Sequence, residues 1–385
     1  MVPVRSTDVP AVTETAVRTA LSHVLDPEIG KPIDELNMVE DVEVDEAGAV
    51  EVRVLLTVAA CPMKDKLTRD VTAAVAAVPG VSAVRVALGV MSDAQRVALR
   101  EQLRGGAPVN EIPFAQPGSR TRVYAVASGK GGVGKSSVTV NLAVALAARG
   151  LSVGVLDADI YGFSVPRMLG VDGKPTQVEK MIMPPAAHGV KVISIGMFTP
   201  GNAAVVWRGP MLHRALQQFL GDVFWGDLDV LLVDLPPGTG DIAISIAQLV
   251  PSAELLIVTT PQLAAREVAE RAGSIALQTH QQIVGVIENM SWLELPDGTR
   301  MEVFGAGGGR AVAESLSKTM STAVPLLGQV PLDTRVREGG DAGVPIVLSR
   351  PDAPAALALQ AVADVLRGRQ HSLLGRSLGL SPVGR

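Results

Sequence analysis

Apolar runs and helix-like stretches alternate along most of the chain. Seven short runs rich in Val, Ile and Leu recur between more polar helical stretches, at Val123–Ala127, Ser152–Leu156, Lys191–Ile195, Val230–Val233, Leu255–Val258, Ile283–Ile287 and Leu326–Val330. Strands that are buried on both faces form continuous apolar runs, and strand–helix alternation is typical of α/β folds. The pattern therefore predicts a doubly wound α/β domain with a mostly parallel sheet over residues 122–370.

The first hundred residues have a different pattern, with true alternation of apolar and polar positions in two segments around a Gly-containing turn. The predicted elements are a helix at Thr13–Leu25, strands at Val39–Val44 and Val50–Thr57, a helix at Pro62–Val78, and a strand at Val81–Leu88. Period-two alternation around a turn is typical of a hairpin. This order predicts a small α+β domain within residues 1–104, which ends in a polar helix at Ser92–Leu103.

The two predicted domains are separated by residues 105–121, a segment rich in Gly, Pro and charged residues. Gly and Pro disfavour helices and strands, so we interpret this segment as a linker. Residues 371–385 form a C-terminal tail.

Composition excludes several classes of function. The chain of 385 residues is 47% hydrophobic and carries a net charge of −5, which argues against general nucleic-acid binding, since that usually needs a basic stripe. Its one cysteine cannot form an intrachain disulfide, which is typical of a reducing compartment. No apolar run reaches the length that crosses a bilayer. We therefore expect a cytoplasmic protein that binds neither nucleic acid nor membrane.

A glycine-rich loop lies between the first apolar run and the helical stretch that follows it. Within it, Gly129, Gly134, Lys135 and Ser136 match the Walker A pattern in the strand–loop–helix context that this pattern requires. Glycines let backbone N–H groups turn toward an anion, and the helix N-terminus adds partial positive charge. The loop therefore predicts a phosphate site, with Lys135 on the terminal phosphates and Ser136 on Mg²⁺. The alternative is a merely flexible glycine loop.

Acidic residues follow two of the predicted strands. Asp157 and Asp159 follow the second run, and Asp234 ends the fourth run in a Walker B pattern. In parallel sheets ligands bind beyond the carboxyl ends of the strands, and Mg²⁺ prefers carboxylate oxygens. We predict that Asp234 holds Mg²⁺ through a water and that residues 235–241 form a switch loop. Helix N-caps are the alternative role for any one of these residues.

The loop also carries a second lysine, Lys130, directly after its first glycine. This form resembles the deviant Walker A loop of the MinD, ArsA and nitrogenase-iron-protein class. In that class the extra lysine reaches the nucleotide of the partner subunit. The resemblance thus implies a homodimer, whereas the alternative is a Lys130 side chain that is only solvated.

Taken together, the motifs resemble the Mrp/ApbC-type iron–sulfur cluster carrier ATPases, a MinD/ParA-like class of P-loop NTPases with a fused N-terminal iron–sulfur-assembly domain. The segments that carry the likeness are Asp26–Glu28, Thr57–Lys66, the glycine loop, Asp157–Gly162, the Asp234 loop, Glu288–Ser291 and Phe304–Gly305. The resemblance implies that Asp159 orients the attacking water, that Asp157 supports the metal shell, and that Asn289 contacts adenine. For Asn289 the alternative is an Asx-turn that leaves the strand.

The predicted site residues form three sets. The catalytic set is Lys130, Lys135 and Asp159. The nucleotide-binding set is Gly129, Lys130, Gly131, Gly132, Val133, Gly134, Lys135, Ser136, Ser137 and Asn289. The magnesium set is Ser136, Asp157 and Asp234. A second glycine cluster, Gly305–Gly309, is followed by no Lys-Ser pair, so it is predicted to be a loop and not a phosphate site.

The chain departs from the family that it resembles in the cysteines that would bind the iron–sulfur cluster, which is the cargo of that family. Family members usually place a Cys-x-x-Cys pair between the Asn-Met-Ser motif and the Phe-Gly loop, but here Trp292–Met301 contains no cysteine. A [4Fe–4S] cluster normally takes four thiolates, whereas a dimer of this chain offers two, both from Cys61. Cys61 precedes a predicted helix N-terminus, which favours thiolate, although a lone cysteine is often a small buried hydrophobe. Either Cys61 handles a cluster transiently, or this branch has kept the ATPase and lost the cargo.

The resemblance therefore implies an ATP-hydrolysing iron–sulfur cluster carrier that acts as a homodimer, with ATP and Mg²⁺ as ligands and apo iron–sulfur clients or a scaffold as partners. Two alternatives stay open. A MinD/ParA-like positioning ATPase uses the same loop, but Gly375, Gly379 and Pro382 interrupt the C-terminal helix that membrane binding needs. A scaffold that binds nucleotide without hydrolysing it is the second.

Overall fold

The computed structural model describes residues 12–57, 63–104, 111–160, 162–179, 181–198, 209–238, 240–262 and 265–370. The chain divides into two compact units. The first takes its residues from Met1–Glu111, Gly173–Pro185 and Gly221–Gly226, and the second from Ile112–Asp172, Ala186–Leu220 and Asp227–Arg385. The domain bounds proposed from the sequence stay a prediction.

The described residues form helices and strands that are numbered here in chain order. The helices are α1 (Glu14–Leu21), α2 (Lys64–Ala76), α3 (Asp93–Arg104), α4 (Lys135–Ala147), α5 (Val165–Met168), α6 (Gly209–Gly221), α7 (Asp241–Leu249), α8 (Ala265–Thr279), α9 (Gly308–Met320), α10 (Thr334–Ala342), α11 (Ile346–Ser349) and α12 (Pro354–Gln370). The strands are β1 (Val39–Val44), β2 (Ala49–Leu56), β3 (Ala83–Val90), β4 (Arg122–Ala127), β5 (Val153–Asp157), β6 (Thr176–Val178), β7 (Met181–Met183), β8 (Ala186–Ala187), β9 (Val190–Ser194), β10 (Val230–Asp234), β11 (Glu254–Thr259), β12 (Ile283–Glu294), β13 (Arg300–Met301) and β14 (Leu326–Leu332).

The first unit is built on a three-stranded sheet in the order β1-β2-β3. Strands β1 and β2 pair antiparallel as the predicted hairpin, and β2 pairs parallel with β3. The core includes Val17 and Leu21 of α1 and Leu67 of α2. The β6–β7 hairpin contributes Val178 and Met181 to the same core, a contribution that the sequence pattern did not indicate. The α-β-β-α-β order predicted for this region is present.

The first helix ends at Leu21, four residues earlier than predicted. Residues 22–25 lie outside the helix because this segment pairs with a later one: the N–H of Ile33 donates to the carbonyl of Val24. Beyond it, the buried Asp26 carboxylate accepts the N–H groups of Glu28 and Ile29 at 2.9 and 2.8 Å. Burial raises the pKa of Asp26 above its ordinary value, although these two hydrogen bonds act to lower it.

The second unit is built on a nine-stranded sheet in the order β13-β12-β11-β4-β10-β5-β9-β8, with β14 also paired to β12. Strands β9, β5, β10, β4, β11, β12 and β14 are mutually parallel, and each overlaps one of the seven predicted apolar runs to within one residue at the ends of β5 and β9. Short antiparallel strands, β8 and β13, pair with β9 and β12. The prediction of an α/β fold with a mostly parallel sheet is confirmed.

Helix α4 lies in the core of this unit. Its residues 138–146 are all buried, the polar Thr139 and Asn141 included, so this part of the helix has no solvent-facing stripe. Leu142 and Leu146 share a core cluster with Leu359 and Leu366 of α12 and with Val126 of β4. This packing holds the first turn of α4 at the end of β4, where the glycine loop lies.

Two local expectations differ from the structure. Residues 113–115 of the predicted linker form a 3-10 turn with Phe114 buried. The prediction of a loop over Gly305–Gly309 is wrong for its last two residues, which begin α9. A Cβ on Gly308 would lie 2.6 Å from the carbonyl of Pro261, and one on Gly309 would lie 2.6 Å from Cβ of Glu288. These glycines allow close packing of a helix start.

Candidate functional site

The glycine loop turns sharply between β4 and α4. Gly132 and Gly134 have φ angles of 78° and 76°, the left-handed region that side chains rarely adopt. A Cβ on Gly134 would lie 2.3 Å from Nδ2 of Asn289, so the position also requires glycine for space. No side chain caps the N-terminus of α4. Its first N–H groups are therefore available to an anion.

The carboxylate of Asp234, at the end of β10, joins three side chains of α4. Its Oδ1 lies 2.7 Å from Nζ of Lys135 and accepts the Thr139 hydroxyl at 2.8 Å. Its Oδ2 accepts the Ser136 hydroxyl at 2.6 Å. The structure thus brings together the Walker A and Walker B residues predicted from the sequence. Thr139 was not predicted, although its position one turn after Lys135 places it on the same helix face.

The oxygen atoms of Ser136 and Asp234 suit a magnesium ion. A hydroxyl and a carboxylate are hard oxygen donors, and Mg²⁺ is usually held by one or two carboxylates together with waters and phosphates. Among the described residues no group of three or more His, Cys, Asp and Glu side chains forms a closed metal site. A hydroxyl and a carboxylate fit a magnesium ion that completes its coordination with waters and the oxygens of a phosphate ligand.

Asp157 ends β5 directly beside Asp234, since the two residues are register partners in the sheet. Its carboxylate is fully buried and accepts the Ser194 hydroxyl at 3.1 Å and the N–H of Asp159 at 3.2 Å. Burial raises the pKa of Asp157 to about 7, and the negative charge of Asp234 adds to the shift. Ser194 was not predicted, because nothing in its local sequence marks it.

Asp159 lies just beyond the end of β5 and is 9% exposed. Its Oδ1 accepts the N–H of Gly162 at 3.0 Å. Asp157, Asp159 and Asp234 therefore lie at the carboxyl ends of two strands, as the sequence predicted, and the structure shows that these strands are adjacent. Their individual roles in water and metal binding stay predictions.

The second lysine of the loop is held within the chain. Nζ of the half-buried Lys130 donates to Oε1 of Gln262, which follows β11. The Lys130 carbonyl accepts the Ser128 hydroxyl at 3.1 Å. The guanidinium of Arg271 in α8 donates to the carbonyl of Gly129 at 3.2 Å. Gln262 and Arg271 were not predicted, because no motif spacing links them to the glycine loop.

Asn289 lies on the other side of the loop. Its side-chain amide is buried and donates to the carbonyl of Val133 at 2.9 Å. A cavity of about 380 Å³ opens beside it, lined by residues from the start of α4, from α5, from β12, and from the end of β14 into α10. Its lining includes Gly134, Ser137, Asn289, Met290 and Leu332. A concave, largely apolar space next to an anion site is suited to a ring system that is attached to a phosphate.

Glu288 precedes Asn289 and has a supporting position that was not predicted. Its buried carboxylate accepts the backbone N–H of Gly309 at 2.6 Å and the side-chain amide of Gln329 at 2.7 Å. It thereby ties the end of β12 to the start of α9 and to β14.

The segment that lacks the cysteine pair forms a short hairpin. The end of β12 pairs antiparallel with β13, and the Arg300 guanidinium lies 4.1 Å from the centre of the Trp292 ring. The remaining candidate for the cargo, Cys61, lies outside the described residues, as do Tyr161 of the Asp157–Gly162 motif and the tail 371–385. In the described part of the chain no helix is both long enough and apolar enough to span a bilayer.

Comparison with known proteins agrees with this geometry. A family model described as NUBPL iron-transfer P-loop NTPase matches residues 119–367. A second model, described as iron-sulfur cluster assembly protein, matches residues 14–88. The first match covers the glycine loop, Asp234 and Asn289, and the second covers the first unit from α1 into β3.

Relatives share most of this length. An iron-sulfur cluster carrier protein from Mycobacterium bovis is 66% identical over 96% of this chain and 97% of its own. One from Synechocystis is 42% identical over 93% of this chain and 98% of its own. A nucleotide-binding protein from Archaeoglobus fulgidus, solved in complex with ADP, is 36% identical with a TM-score of 0.50, over 58% of this chain and 87% of its own. The family resemblance inferred from the motifs is confirmed. This chain belongs to the NUBPL iron-transfer P-loop NTPases, the family of the iron–sulfur cluster carrier proteins.

Proposed function

We propose that this P-loop NTPase binds and hydrolyses ATP with Mg²⁺ as a homodimer, and that hydrolysis serves the carriage or assembly of an iron–sulfur cluster. The observation that carries the proposal is the Asp234 carboxylate, which joins Lys135, Ser136 and Thr139 at 2.6–2.8 Å. A structural role alone does not require a lysine and a carboxylate to be buried together beside a glycine loop. The Archaeoglobus relative was solved with ADP, which supports a nucleotide as the ligand of this chain as well.

The nucleotide would lie along the first turn of α4. The N–H groups of the loop and Lys135 would bind the phosphates, and the base would enter the cavity beside Asn289 and Met290. Ser136 and Asp234 would hold Mg²⁺, with Asp157 behind them. Bound Mg²⁺ supplies positive charge that offsets the phosphate oxygens during phosphoryl transfer.

Asp159 would orient the water that attacks the terminal phosphate. Its carboxylate lies just beyond the carboxyl end of β5, the strand whose last residue neighbours Asp234, and it is not fully buried. A carboxylate in that place can accept a hydrogen bond from water and so favour one orientation. Lys130 would act on the nucleotide of the partner subunit.

The proposal that this chain handles an iron–sulfur cluster rests on its family and not on a metal site among the described residues. The carrier proteins from Mycobacterium and Synechocystis are named for clusters, and residues 14–88 match an iron–sulfur assembly model. Cys61 is the single cysteine in the 385 residues, so it is the thiolate that this chain offers. We propose that it handles a cluster transiently, together with thiols from an apo client protein, a scaffold or a small molecule.

The enzymatic proposal is tested by ATP turnover in the presence of Mg²⁺. We expect slow turnover in the wild type and a loss of about 100-fold in Asp159→Asn, with ATP affinity retained. Asp352→Asn, which removes an exposed carboxylate, is the matched control and should keep wild-type turnover. Equal turnover in Asp159→Asn and the control would overturn the role of Asp159, and no ATP binding in the wild type would overturn the whole assignment.

The cargo proposal has a separate test. The full chain is reconstituted anaerobically with iron, sulfide and a small thiol, and its absorbance is compared with that of Cys61→Ala. Absorbance of a cluster in the wild type that is lost in the variant would support carriage. An absence of cluster absorbance in both proteins would leave an ATPase of this family without its cargo.

A further inference from the structure

We propose that Gln262 is a positioning residue that holds Lys130 within its own subunit and so restrains nucleotide-dependent dimerisation. This inference rests on the proposed role of Lys130 across the dimer. The observation is the hydrogen bond from Nζ of Lys130 to Oε1 of Gln262, between residues that are 132 positions apart. A lysine that acts on a partner's nucleotide must first leave this acceptor.

The acceptor is fixed in place by the backbone that precedes it. The carbonyl groups of Thr260 and Pro261 lie so close to Gly308 that a Cβ there would meet each of them at 2.6 Å. The next residue, Gly309, is tied in turn to the buried Glu288 carboxylate at 2.6 Å. Gln262 therefore directly follows a backbone segment that is packed against the start of α9.

The backbone of the loop is also fixed. The Gly129 carbonyl accepts the Arg271 guanidinium, and the Lys130 carbonyl accepts the Ser128 hydroxyl. The N–H of Gly238, in the predicted switch loop, donates to the carbonyl of Ser128 at 2.9 Å. Since the backbone carbonyls of Ser128, Gly129 and Lys130 are all hydrogen-bonded, the lysine changes its target by rotation of its own side chain. The bond that this rotation breaks is the one to Gln262.

The neutral amide suits a releasable contact. A hydrogen bond from an ammonium group to an amide oxygen carries a charge on one partner only, whereas a carboxylate at the same position would form an ion pair. Phosphate oxygens of a partner's nucleotide are stronger acceptors than the Gln262 amide, so they can take Lys130 from it. Without nucleotide, no such acceptor is offered and Lys130 stays on Gln262. The contact thereby opposes dimerisation until the nucleotide of a partner subunit offers Lys130 a stronger acceptor.

The test compares Gln262→Ala and Gln262→Glu in the full chain. Dimerisation with ATP and Mg²⁺ is measured by sedimentation velocity in the slowly hydrolysing Asp159→Asn background, and ATP affinity by calorimetry. We expect Gln262→Glu to raise the dimer dissociation constant by about tenfold, and Gln262→Ala to lower it by roughly three- to tenfold. ATP affinity of the monomer should stay within about twofold in both variants, because the hydrogen bond of Gln262 is to Lys130, which is proposed to act on the nucleotide of the partner subunit and not on that of its own.

Gln282→Glu is the matched control, since it adds the same charge at an exposed glutamine. Gln282 directly precedes the amino end of β12, whereas Gln262 follows the carboxyl end of β11. Melting temperatures of all variants show whether any of them is misfolded. If Gln262→Ala does not fold, the near-isosteric Gln262→Glu still tests the proposal through its dimer dissociation constant. Equal dimerisation in both Gln262 variants and the control would overturn the inference. A shift of both variants in one direction would overturn it as well.

Lys130→Ala separates this inference from the function on which it rests. Loss of the dimer in Lys130→Ala, with the Gln262 variants unchanged, would reject the role of Gln262 alone. An intact dimer in Lys130→Ala would instead reject the action of Lys130 across the dimer, and the Gln262 inference with it.

Discussion

The ammonium nitrogen of Lys135 lies 2.7 Å from Oδ1 of Asp234, and the two side chains are only 6% and 0% exposed. A buried lysine without a counter-charge would be strongly destabilising. The pair therefore offsets the charge of Lys135 with that of Asp234 and holds the lysine side chain at the start of α4. A phosphate that enters the loop offers Lys135 a second anion and competes for it with Asp234.

We predict that Asp234→Asn destabilises the ligand-free protein by about 3–5 kcal/mol, because it leaves the Lys135 charge buried without an opposite charge. Calorimetric melting measures this loss. Thr139→Val is the control, since it removes one neutral donor from the same carboxylate and should cost about 1 kcal/mol. An equal loss in both variants would mean that the ion pair adds nothing beyond a hydrogen bond.

The raised pKa of Asp157 predicts a pH dependence of stability. The folded chain retains the Asp157 proton up to about pH 7, whereas the unfolded chain loses it near the ordinary value of 3.8. The folded state thus binds more protons between these values, and the free energy of unfolding should fall as pH rises, by about 1.4 kcal/mol per pH unit at most. Below both values the group makes no contribution to the slope.

Chemical denaturation without Mg²⁺ or nucleotide, at intervals between pH 4.5 and pH 7.5, measures this slope. Asp157→Asn should flatten it, because the amide does not titrate in this range. Asp352→Asn, at an exposed carboxylate, should leave it as it is in the wild type. An unchanged slope in Asp157→Asn would assign the dependence to other groups.

Asn289 is predicted to recognise the base and not the phosphates. Asn289→Ala should raise the dissociation constant for ATP by about tenfold, since it removes polar contacts beside the cavity. Binding of inorganic tripolyphosphate, which has no base, should change by less than about threefold. An equal loss for both ligands would show that Asn289 acts by holding the Val133 carbonyl of the loop.

Gly134→Ala is predicted to abolish measurable ATP binding. The new Cβ would meet Nδ2 of Asn289 at 2.3 Å, and φ would stay at 76°. Gly150→Ala separates the two causes, because Gly150 has a φ of 82° but no atom within 4 Å of a new Cβ. It should cost roughly 1–2 kcal/mol of stability and keep ATP binding. Loss of binding in Gly150→Ala as well would point to strain in α4 and not to the contact with Asn289.

The local sequence determined the seven parallel strands, the glycine loop and the acidic residues at the strand ends. These features depend on neighbouring residues: an apolar run is buried wherever a sheet forms, and a glycine turn before a helix exposes N–H groups whatever surrounds it. For the same reason the family could be recognised from motifs in Asp157–Gly162 and Glu288–Ser291 before any contact was known.

Tertiary structure alone decided which side chains support the site. Gln262 meets Lys130 across 132 positions, and Ser194 meets Asp157 across 37, so no periodicity or motif spacing connects them. The inclusion of β6 and β7 in the core of the first unit is of the same kind. Such contacts arise because the chain must fill its cores and satisfy its buried polar groups with whatever the fold brings near, and that choice depends on the whole chain.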